Sequence, residues 1–293
     1  MQLLETQSME LAPEILQRVM SWIELPDGSR RAFYQWQSGS QPAVATVLIV
    51  PGLGEHGGRY AESASHFTTA NMNVCAIDLQ GHGHSPGKRG CIKSYENLLD
   101  DIEAAISHVR QASPACPLVL WGHSMGGNLV INTLLRRSSL PDYAIASGPM
   151  LRAVRLPSPL FIWCARQISQ VFPNWQLGSS VEPQHCTSDP RQLKLMRADR
   201  LYFRSLSLRL GAALIDSGEW ALHHASQLTT PLLLVHGTQD LVTSVGASQQ
   251  FAISAGKLCE LVLFKNRLHD VHRDQGSDEV FSRLIGWIKQ SVA

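Results

Sequence analysis

Residues 122–126, Gly-His-Ser-Met-Gly, fit the pattern G-x-S-x-G, which can place a serine nucleophile on a sharp turn. The pattern is weak on its own. Here an apolar segment at 117–121 precedes it, and a helical pattern follows from Met125 to Arg137. A strand, a tight turn and a helix in this order predict a nucleophile elbow with Ser124 at the turn. The dipole of the following helix would then favour negative charge beside Ser124.

A serine nucleophile needs a base and an acid that orients the base, and in this architecture they follow in the order Ser, Asp, His. Asp240 comes shortly after an apolar segment at 232–235, where a strand is expected to end. Asp216 is the competing acid, but no predicted strand would position it. We therefore predict that Asp240 orients the base.

Two histidines could act as the base, because His269 and His272 both follow the last predicted strand at 261–264. His269 lies nearer the end of that strand and precedes an acidic residue, so we favour His269. For the other histidines near these motifs, packing, turn or surface positions are expected: His82, His84, His123, His223, His224 and His236.

Acyl transfer also needs two N–H donors that face the oxygen of the tetrahedral intermediate. The backbone of Met125, the residue after the nucleophile, is expected to supply one donor. The second would come from the glycine-rich loop at 51–58, which follows the strand predicted at 45–50. Leu53, between two glycines, is the donor that we expect. The loop does not match the phosphate-binding pattern G-x-x-x-x-G-K-[ST].

The elements that position these residues alternate between strands and helices. A turn signal at 26–28 separates two alternating segments and predicts a hairpin. Apolar residues recur every three or four positions in 94–111 and in 277–290, which predicts two helices. This alternation indicates an α/β protein with a mostly parallel sheet. Short apolar runs predict further strands at 45–50, 74–77, 118–121, 143–146, 232–235 and 261–264.

The stretch 151–225 breaks the alternation, because prolines interrupt it and no clear strand is visible. We therefore expect a helical cap inserted into a core formed by residues 1–150 and 226–293. The segment 160–172 is strongly apolar. It could form a tunnel for an acyl chain and contact a lipid surface, or it could simply pack on its own domain.

The amino-acid composition indicates which broad classes of protein this sequence does not fit. The 293 residues are 44% hydrophobic, enough for a sizeable core, and the net charge of +1 argues against nucleic-acid binding. The six cysteines include no C-x-x-C pair and suggest free thiols in a reducing compartment. Residues 1–5 do not resemble a signal peptide, and no apolar stretch approaches the length of a membrane span. We expect a cytoplasmic protein that can contact a membrane surface.

Taken together, the motifs resemble the monoacylglycerol lipase branch of the α/β-hydrolases, which includes lysophospholipases. Residues 51–60 match the family run HGxGEHxxRY from its second position onward, and residues 78–90 match D-x-x-GHGxSxGxRG. GHSMGG is present at 122–127, and GxxD and H-[DE] match 237–240 and 269–270. The resemblance covers about residues 20–290.

The resemblance implies an α/β-hydrolase fold: a mostly parallel central sheet of about eight strands, helices on both faces and a helical cap. It implies the triad Ser124, Asp240 and His269, with Leu53 and Met125 as oxyanion donors and with no cofactor or metal. The expected reaction is hydrolysis of a small-molecule lipid ester, first monoacylglycerol, through an acyl-enzyme. A lysophospholipase, a general carboxylesterase and a non-catalytic ligand-binding member of the fold are the alternatives.

Overall fold

A computed structural model describes residues 19–40, 42–178 and 181–293, so the expectation for residues 1–5 lies outside the described residues. Eight strands of the described chain form one sheet in the order β1-β2-β4-β3-β5-β6-β9-β10, and β7 pairs with β8 separately. The strands are β1 (Val19–Glu24), β2 (Arg30–Trp36), β3 (Ala45–Val50), β4 (Met72–Ile77), β5 (Leu118–His123), β6 (Tyr143–Ser147), β7 (Gln176–Gly178), β8 (Ser205–Ser207), β9 (Leu232–Gly237) and β10 (Cys259–Phe264).

The large sheet is mostly parallel. Strand β2 pairs antiparallel with both β1 and β4, whereas the other neighbouring strands of this sheet pair in parallel. The hairpin and the mostly parallel sheet of about eight strands are therefore confirmed. Strand β3 lies inside the sheet between β4 and β5, and all six of its residues are buried. This burial on both faces explains its uninterrupted apolar sequence.

Helices cover both faces of the large sheet, as expected. Val47 and Ile49 of β3 belong to a buried cluster with residues of the helices at 61–69 and 277–292. Leu48 and Val50 belong to a second cluster with residues of the helices at 95–112, 125–136 and 245–255. Alternate side chains of one strand thus anchor two helical layers. The helices are α1 (Ala61–Thr69), α2 (Tyr95–Ala112), α3 (Met125–Arg136), α4 (Pro159–Val171), α5 (Pro183–Cys186), α6 (Pro190–Ala198), α7 (Leu208–His224), α8 (Val245–Ala255) and α9 (Ser277–Val292).

Between β6 and β9 the chain forms α4 to α7 and one small antiparallel ribbon, β7 with β8. The expectation of no strand in this stretch was wrong. Each ribbon strand has only three residues, too few to show an alternating pattern, and Gln176 pairs with Ser207, far along the chain. Within the described residues, no helix is long and apolar enough to cross a bilayer.

Candidate active site

Three of the predicted residues follow parallel strands of the large sheet, at the edge where these strands end. Ser124 comes directly after β5, Asp240 three residues after β9, and His269 five residues after β10. The carboxyl ends of parallel strands share one edge of a sheet, and ligands bind at this edge in open α/β sheets. The sheet therefore brings together residues that lie up to 145 positions apart in the sequence.

The turn at Ser124 is sharp and strained. The backbone of Ser124 has φ 54° and ψ −115°, a combination that residues other than glycine rarely adopt. A Cβ atom on Gly122 would lie 2.2 Å from the carbonyl oxygen of Gly126, and one on Gly126 would lie 2.0 Å from that of Val50. Both flanking glycines are therefore required by close backbone contacts. Strain of this kind clusters at functional sites and aims the Ser124 side chain away from the sheet.

The side chains of Ser124, His269 and Asp240 form a continuous hydrogen-bonded chain. Nε2 of His269 lies 2.9 Å from Oγ of Ser124, and Nδ1 of His269 lies 2.7 Å from Oδ2 of Asp240. A carboxylate only accepts hydrogen bonds, so the Nδ1–H donates to Asp240 and leaves Nε2 to accept from the serine hydroxyl. The competing acid, Asp216, lies instead on the exposed face of α7 and pairs with Arg166.

The electrostatic interactions among these three side chains favour an ionised Asp240 beside an easily protonated His269. Burial acts to raise the pKa of Asp240, but the charge of His269 and the hydrogen bonds from His236 and His269 outweigh it, so this pKa lies well below its ordinary value. Burial acts to lower the pKa of His269, but the attraction and hydrogen bond of Asp240 outweigh it and raise this pKa. The pair can therefore take up and return one proton at Nε2.

His272, the alternative base, is buried and makes no hydrogen bond to Ser124. Its ring stacks on Tyr60 with centroids 5.5 Å apart, and neither ring nitrogen has a hydrogen-bond partner among the described residues. Burial, together with the nearby charge of Arg273, lowers the pKa of His272 well below its ordinary value. His272 is thus placed as a neutral packing residue.

The two expected oxyanion donors line the same cavity as Ser124. Met125 is the first residue of α3, so its backbone N–H has no acceptor within that helix. Leu53 lies in the loop that follows β3. The N–H of Gly52 donates to Oε2 of Glu55 at 3.1 Å, which fixes the residue before Leu53 from inside the core.

Glu55 is the centre of a buried polar network that the sequence did not reveal. Its carboxylate accepts hydrogen bonds from Tyr60 at 2.8 Å and from Arg59 at 3.2 Å, and it also pairs with Arg273. Burial acts to raise the pKa of Glu55, but the charges of Arg273 and Arg59 outweigh it and hold this pKa well below its ordinary value. The feature of the sequence that could have indicated this network is the acidic Glu55 inside the glycine-rich loop at 51–58.

Two further histidines contact the site. Nε2 of His236 lies 2.9 Å from Oδ2 of Asp240, and Nδ1 lies 2.8 Å from Oγ of Ser248. His236 is buried, as expected, but it touches the acid rather than apolar side chains alone. His123, expected to be a packing residue, lies 3.0 Å from Asp270 through Nε2. The spacing of His236 and Asp240, four residues apart, was the signal that sequence reasoning overlooked.

Possible ligand atoms of His123, His269 and Asp270 lie within 4.8 Å of one another, as in some metal sites. The nitrogens of both histidines, however, already serve hydrogen bonds to Ser124, Asp240, Asp270 and the backbone of Ser147. This arrangement favours a hydrogen-bonded cluster over a metal centre.

Ser124 opens into a cavity of about 470 Å³ between the sheet edge and the segment 151–225. Most of its wall is apolar. Polar residues of the wall include Glu55, His269 and Asp270 from the core, and Arg155, His185, Tyr202 and Arg204 from the inserted segment. Apolar side chains from the inserted segment that line the cavity include Leu156, Phe161, Ile162, Leu177, Leu206 and Ile215.

The chain is similar to known proteins in both sequence and fold. The family model described as serine aminopeptidase, S33 (Hydrolase_4) matches residues 41–276. A monoacylglycerol lipase of Mycolicibacterium smegmatis is 27% identical over 263 residues, which cover 89% of this chain and 93% of that protein. The crystal structure of the monoacylglycerol lipase of Paleococcus ferrophilus superimposes with a TM-score of 0.81 at 28% identity, covering 89% of this chain and 99% of that one.

An abhydrolase domain-containing protein of Dictyostelium discoideum is 31% identical over 260 residues. The match covers 88% of this chain but only 27% of that longer protein. The present chain thus corresponds to about a quarter of the length of that relative. The family model covers most of the present sequence, and the mostly parallel sheet carries Ser124 on a sharp turn between β5 and α3. The chain therefore belongs to the Hydrolase_4 (serine aminopeptidase, S33) family of α/β-hydrolases.

Proposed function

We propose that this chain is a serine ester hydrolase that cleaves single-chain glycerolipids, with monoacylglycerol as the preferred substrate. The observation that carries the proposal is the row of hydrogen bonds that joins Ser124, His269 and Asp240, with Ser124 and His269 lining a mostly apolar cavity. The apolar wall suits an acyl chain, and the polar end suits the ester and the glycerol. The names of the relatives from Mycolicibacterium smegmatis and Paleococcus ferrophilus support the same substrate class.

In the proposed mechanism, Oγ of Ser124 attacks the ester carbonyl while Nε2 of His269 takes the hydroxyl proton. Asp240 holds the imidazole in place and stabilises its charged form. The backbone N–H groups of Leu53 and Met125 stabilise the negative oxygen of the tetrahedral intermediate. The intermediate collapses, His269 gives its proton to the leaving glycerol, and water then hydrolyses the acyl-enzyme with His269 again acting as base.

The cavity predicts how the rate depends on acyl length and acyl number. Burial of one CH₂ group is worth about 0.8 kcal/mol, so kcat/KM should rise by up to roughly fourfold per CH₂ until the cavity is full. Extra acyl chains on the glycerol would have to occupy the polar end near Glu55, where apolar groups gain little. Monoacylglycerol should therefore react faster than the matching di- and triacylglycerols.

A substrate panel tests this proposal: kcat/KM for monoacylglycerols of increasing length, matching diacyl- and triacylglycerols, lysophospholipids and short esters, all below their aggregation limits. The proposal expects a maximum at a medium or long monoacylglycerol. A faster rate with triacylglycerol would contradict the single-chain cavity.

Lysophospholipid is the second candidate substrate, because Arg155 lines the cavity and is exposed. Arg152 is less suited to bind a phosphate, since two of its nitrogens already bind the carboxylate of Glu219 at 2.6 and 2.7 Å. A lysophospholipid rate above the monoacylglycerol rate, lost in Arg155→Ala, would favour this alternative.

We also propose that residues 151–225 act as a cap over a core formed by 1–150 and 226–293, that the protein is cytoplasmic, and that the cap contacts lipid surfaces. Its exposed apolar side chains support this contact: Leu160 is 69% exposed, Trp163 57% and Val171 71%. Leu160→Ser with Trp163→Ser should reduce cosedimentation with phosphatidylcholine vesicles. Ile253→Ser, which changes an 82% exposed residue on α8, is the matched control and should leave binding unchanged.

A further inference from the structure

Residues 199–203 of the inserted segment, here named the cap clasp, contact the loop that follows β3. The N–H of Phe203 donates to the carbonyl oxygen of Gly54 at 3.2 Å. The two backbones approach so closely that a Cβ atom on Gly54 would lie 1.8 Å from the carbonyl oxygen of Phe203. Gly54 also has a φ of +75°, which favours glycine. The inserted segment and the loop at 51–58, which carries the expected donor Leu53, are therefore in direct backbone contact.

Asp199 begins the cap clasp and binds both sides of the contact. Its Oδ2 lies 3.0 Å from Nε2 of His56 and accepts a hydrogen bond from Arg59 at 3.2 Å. Its Oδ1 accepts from the backbone N–H groups of Leu201 and Tyr202 at 2.9 and 3.3 Å. One carboxylate thus shapes the turn of the clasp and holds two residues of the core.

The contacts of Asp199 continue to the expected oxyanion donor. Arg59, held by Asp199, also donates to Oε1 of Glu55, and Oε2 of the same Glu55 accepts from the N–H of Gly52. Leu53 therefore lies between Gly52, which is fixed from the core, and Gly54, which is fixed by the cap clasp. Displacement of an N–H donor by about 1 Å can cost about 100-fold in rate.

We propose that Asp199 is a positioning residue, which acts from the cap through Arg59, His56 and the clasp to hold the Leu53 N–H toward the reacting oxygen. This inference rests on the proposed serine mechanism. It gives the cap a part in the chemical step in addition to substrate binding. The cap and the oxyanion hole would then be coupled, because movement of the clasp would move Gly54.

The test compares two aspartates at the two ends of helix α6. Asp199→Asn removes the charge and the acceptor that face Arg59 but keeps an oxygen for the turn. Asp189→Asn is the matched control, since Asp189 caps the N-terminus of the same helix and its side chain accepts from the N–H of Arg191 at 2.8 Å. Each variant is assayed with an activated oxyester and with the matching thionoester, whose sulfur is a poor hydrogen-bond acceptor.

Asp199→Asn should lower kcat/KM for the oxyester at least about tenfold and for the thionoester far less, because the lost interaction acts on the oxyanion. Asp189→Asn should change neither rate by more than about twofold. An unchanged oxyester-to-thionoester ratio in Asp199→Asn would overturn the proposal, whether or not overall activity falls, since general damage to the cap or triad affects both esters.

Hydrogen exchange of the amides in 52–59 provides a readout that does not depend on turnover. Exchange should be faster in Asp199→Asn than in the wild type and unchanged in Asp189→Asn. Equal exchange rates in the wild type and both variants would contradict the proposal that Asp199 holds this loop in place. A wild type that hydrolyses the activated ester but no monoacylglycerol would refute the proposed substrate and leave the result for Asp199 to stand by itself.

Discussion

His236 donates to Asp240 through Nε2 at 2.9 Å, and the acceptor, Oδ2, is the same carboxylate oxygen that faces His269. Thr243 contributes a third hydrogen bond to this oxygen at 2.8 Å. Because His236 is fully buried and its other nitrogen contacts Ser248, the ring is fixed in one orientation. The acid of the proposed triad is therefore held by His236 and Thr243 in addition to the base.

Replacement of His236 should impair the chemical step more than substrate binding, because His236 contacts Asp240 and does not line the cavity. His236→Leu removes a donor to a buried charge, which costs about 1–3 kcal/mol, so kcat should fall roughly 5- to 150-fold with KM little changed. His236→Gln keeps an N–H donor and should retain most of the activity. Equal losses in both variants, or a change in KM alone, would contradict this role.

The two histidines after β10 should differ sharply on substitution. His269→Ala removes the proposed base and should reduce kcat by several orders of magnitude. His272→Ala removes a buried ring that stacks on Tyr60, so it should lower the melting temperature while leaving much of kcat. Steady-state kinetics and thermal unfolding of both variants check this prediction, and the reverse ranking of kcat would identify His272 as the base.

The pH dependence of activity should follow His269. A general base must be neutral, so kcat/KM should be low at acidic pH and rise as this imidazole loses its proton. Asp240 raises the pKa of His269, so the midpoint should lie above the ordinary value of about 6.5. A profile with a neutral ester, together with NMR titration of the ring in Ser124→Ala, measures it. A rate that falls as pH rises from 5 to 8 would refute this assignment.

The oxyanion assignment predicts opposite results for two substitutions of Leu53. Leu53→Ala keeps the backbone N–H and should retain kcat within a few fold. Leu53→Pro deletes that N–H, and loss of one such donor costs about 10²–10³ in kcat. Circular dichroism must show that both variants are folded. Normal kcat in a folded Leu53→Pro enzyme would exclude Leu53 as a donor.

Much of the fold could be predicted because strands buried on both faces are encoded as apolar runs. Strand β3 has the predicted bounds, 45–50. The residues of the site could be proposed because each follows a strand that ends at the same edge of the sheet. The ribbon of β7 and β8 could not be predicted, since its three-residue strands acquire their hydrogen bonds only when the cap folds.

The contacts of Asp199 with Arg59 and of His236 with Asp240 could not be predicted from the sequence for a different reason. Asp199 and Arg59 are separated by 140 positions, and no local spacing relates them. His236 was expected to be buried because it lies in a strand, and it is. Whether a buried imidazole meets apolar side chains or a carboxylate depends on the turn after β9, which returns Asp240 toward His236.

The central claim is that Ser124 is the nucleophile of a monoacylglycerol hydrolase, and the most direct test is the rate of fatty-acid release from a long-chain monoacylglycerol by wild-type enzyme and by Ser124→Ala. The substitution removes only the hydroxyl oxygen, so the variant should remain folded. We expect the wild type to release fatty acid and the variant to be slower by roughly 10⁴-fold or more. Release by folded Ser124→Ala at a rate near that of the wild type would contradict the account.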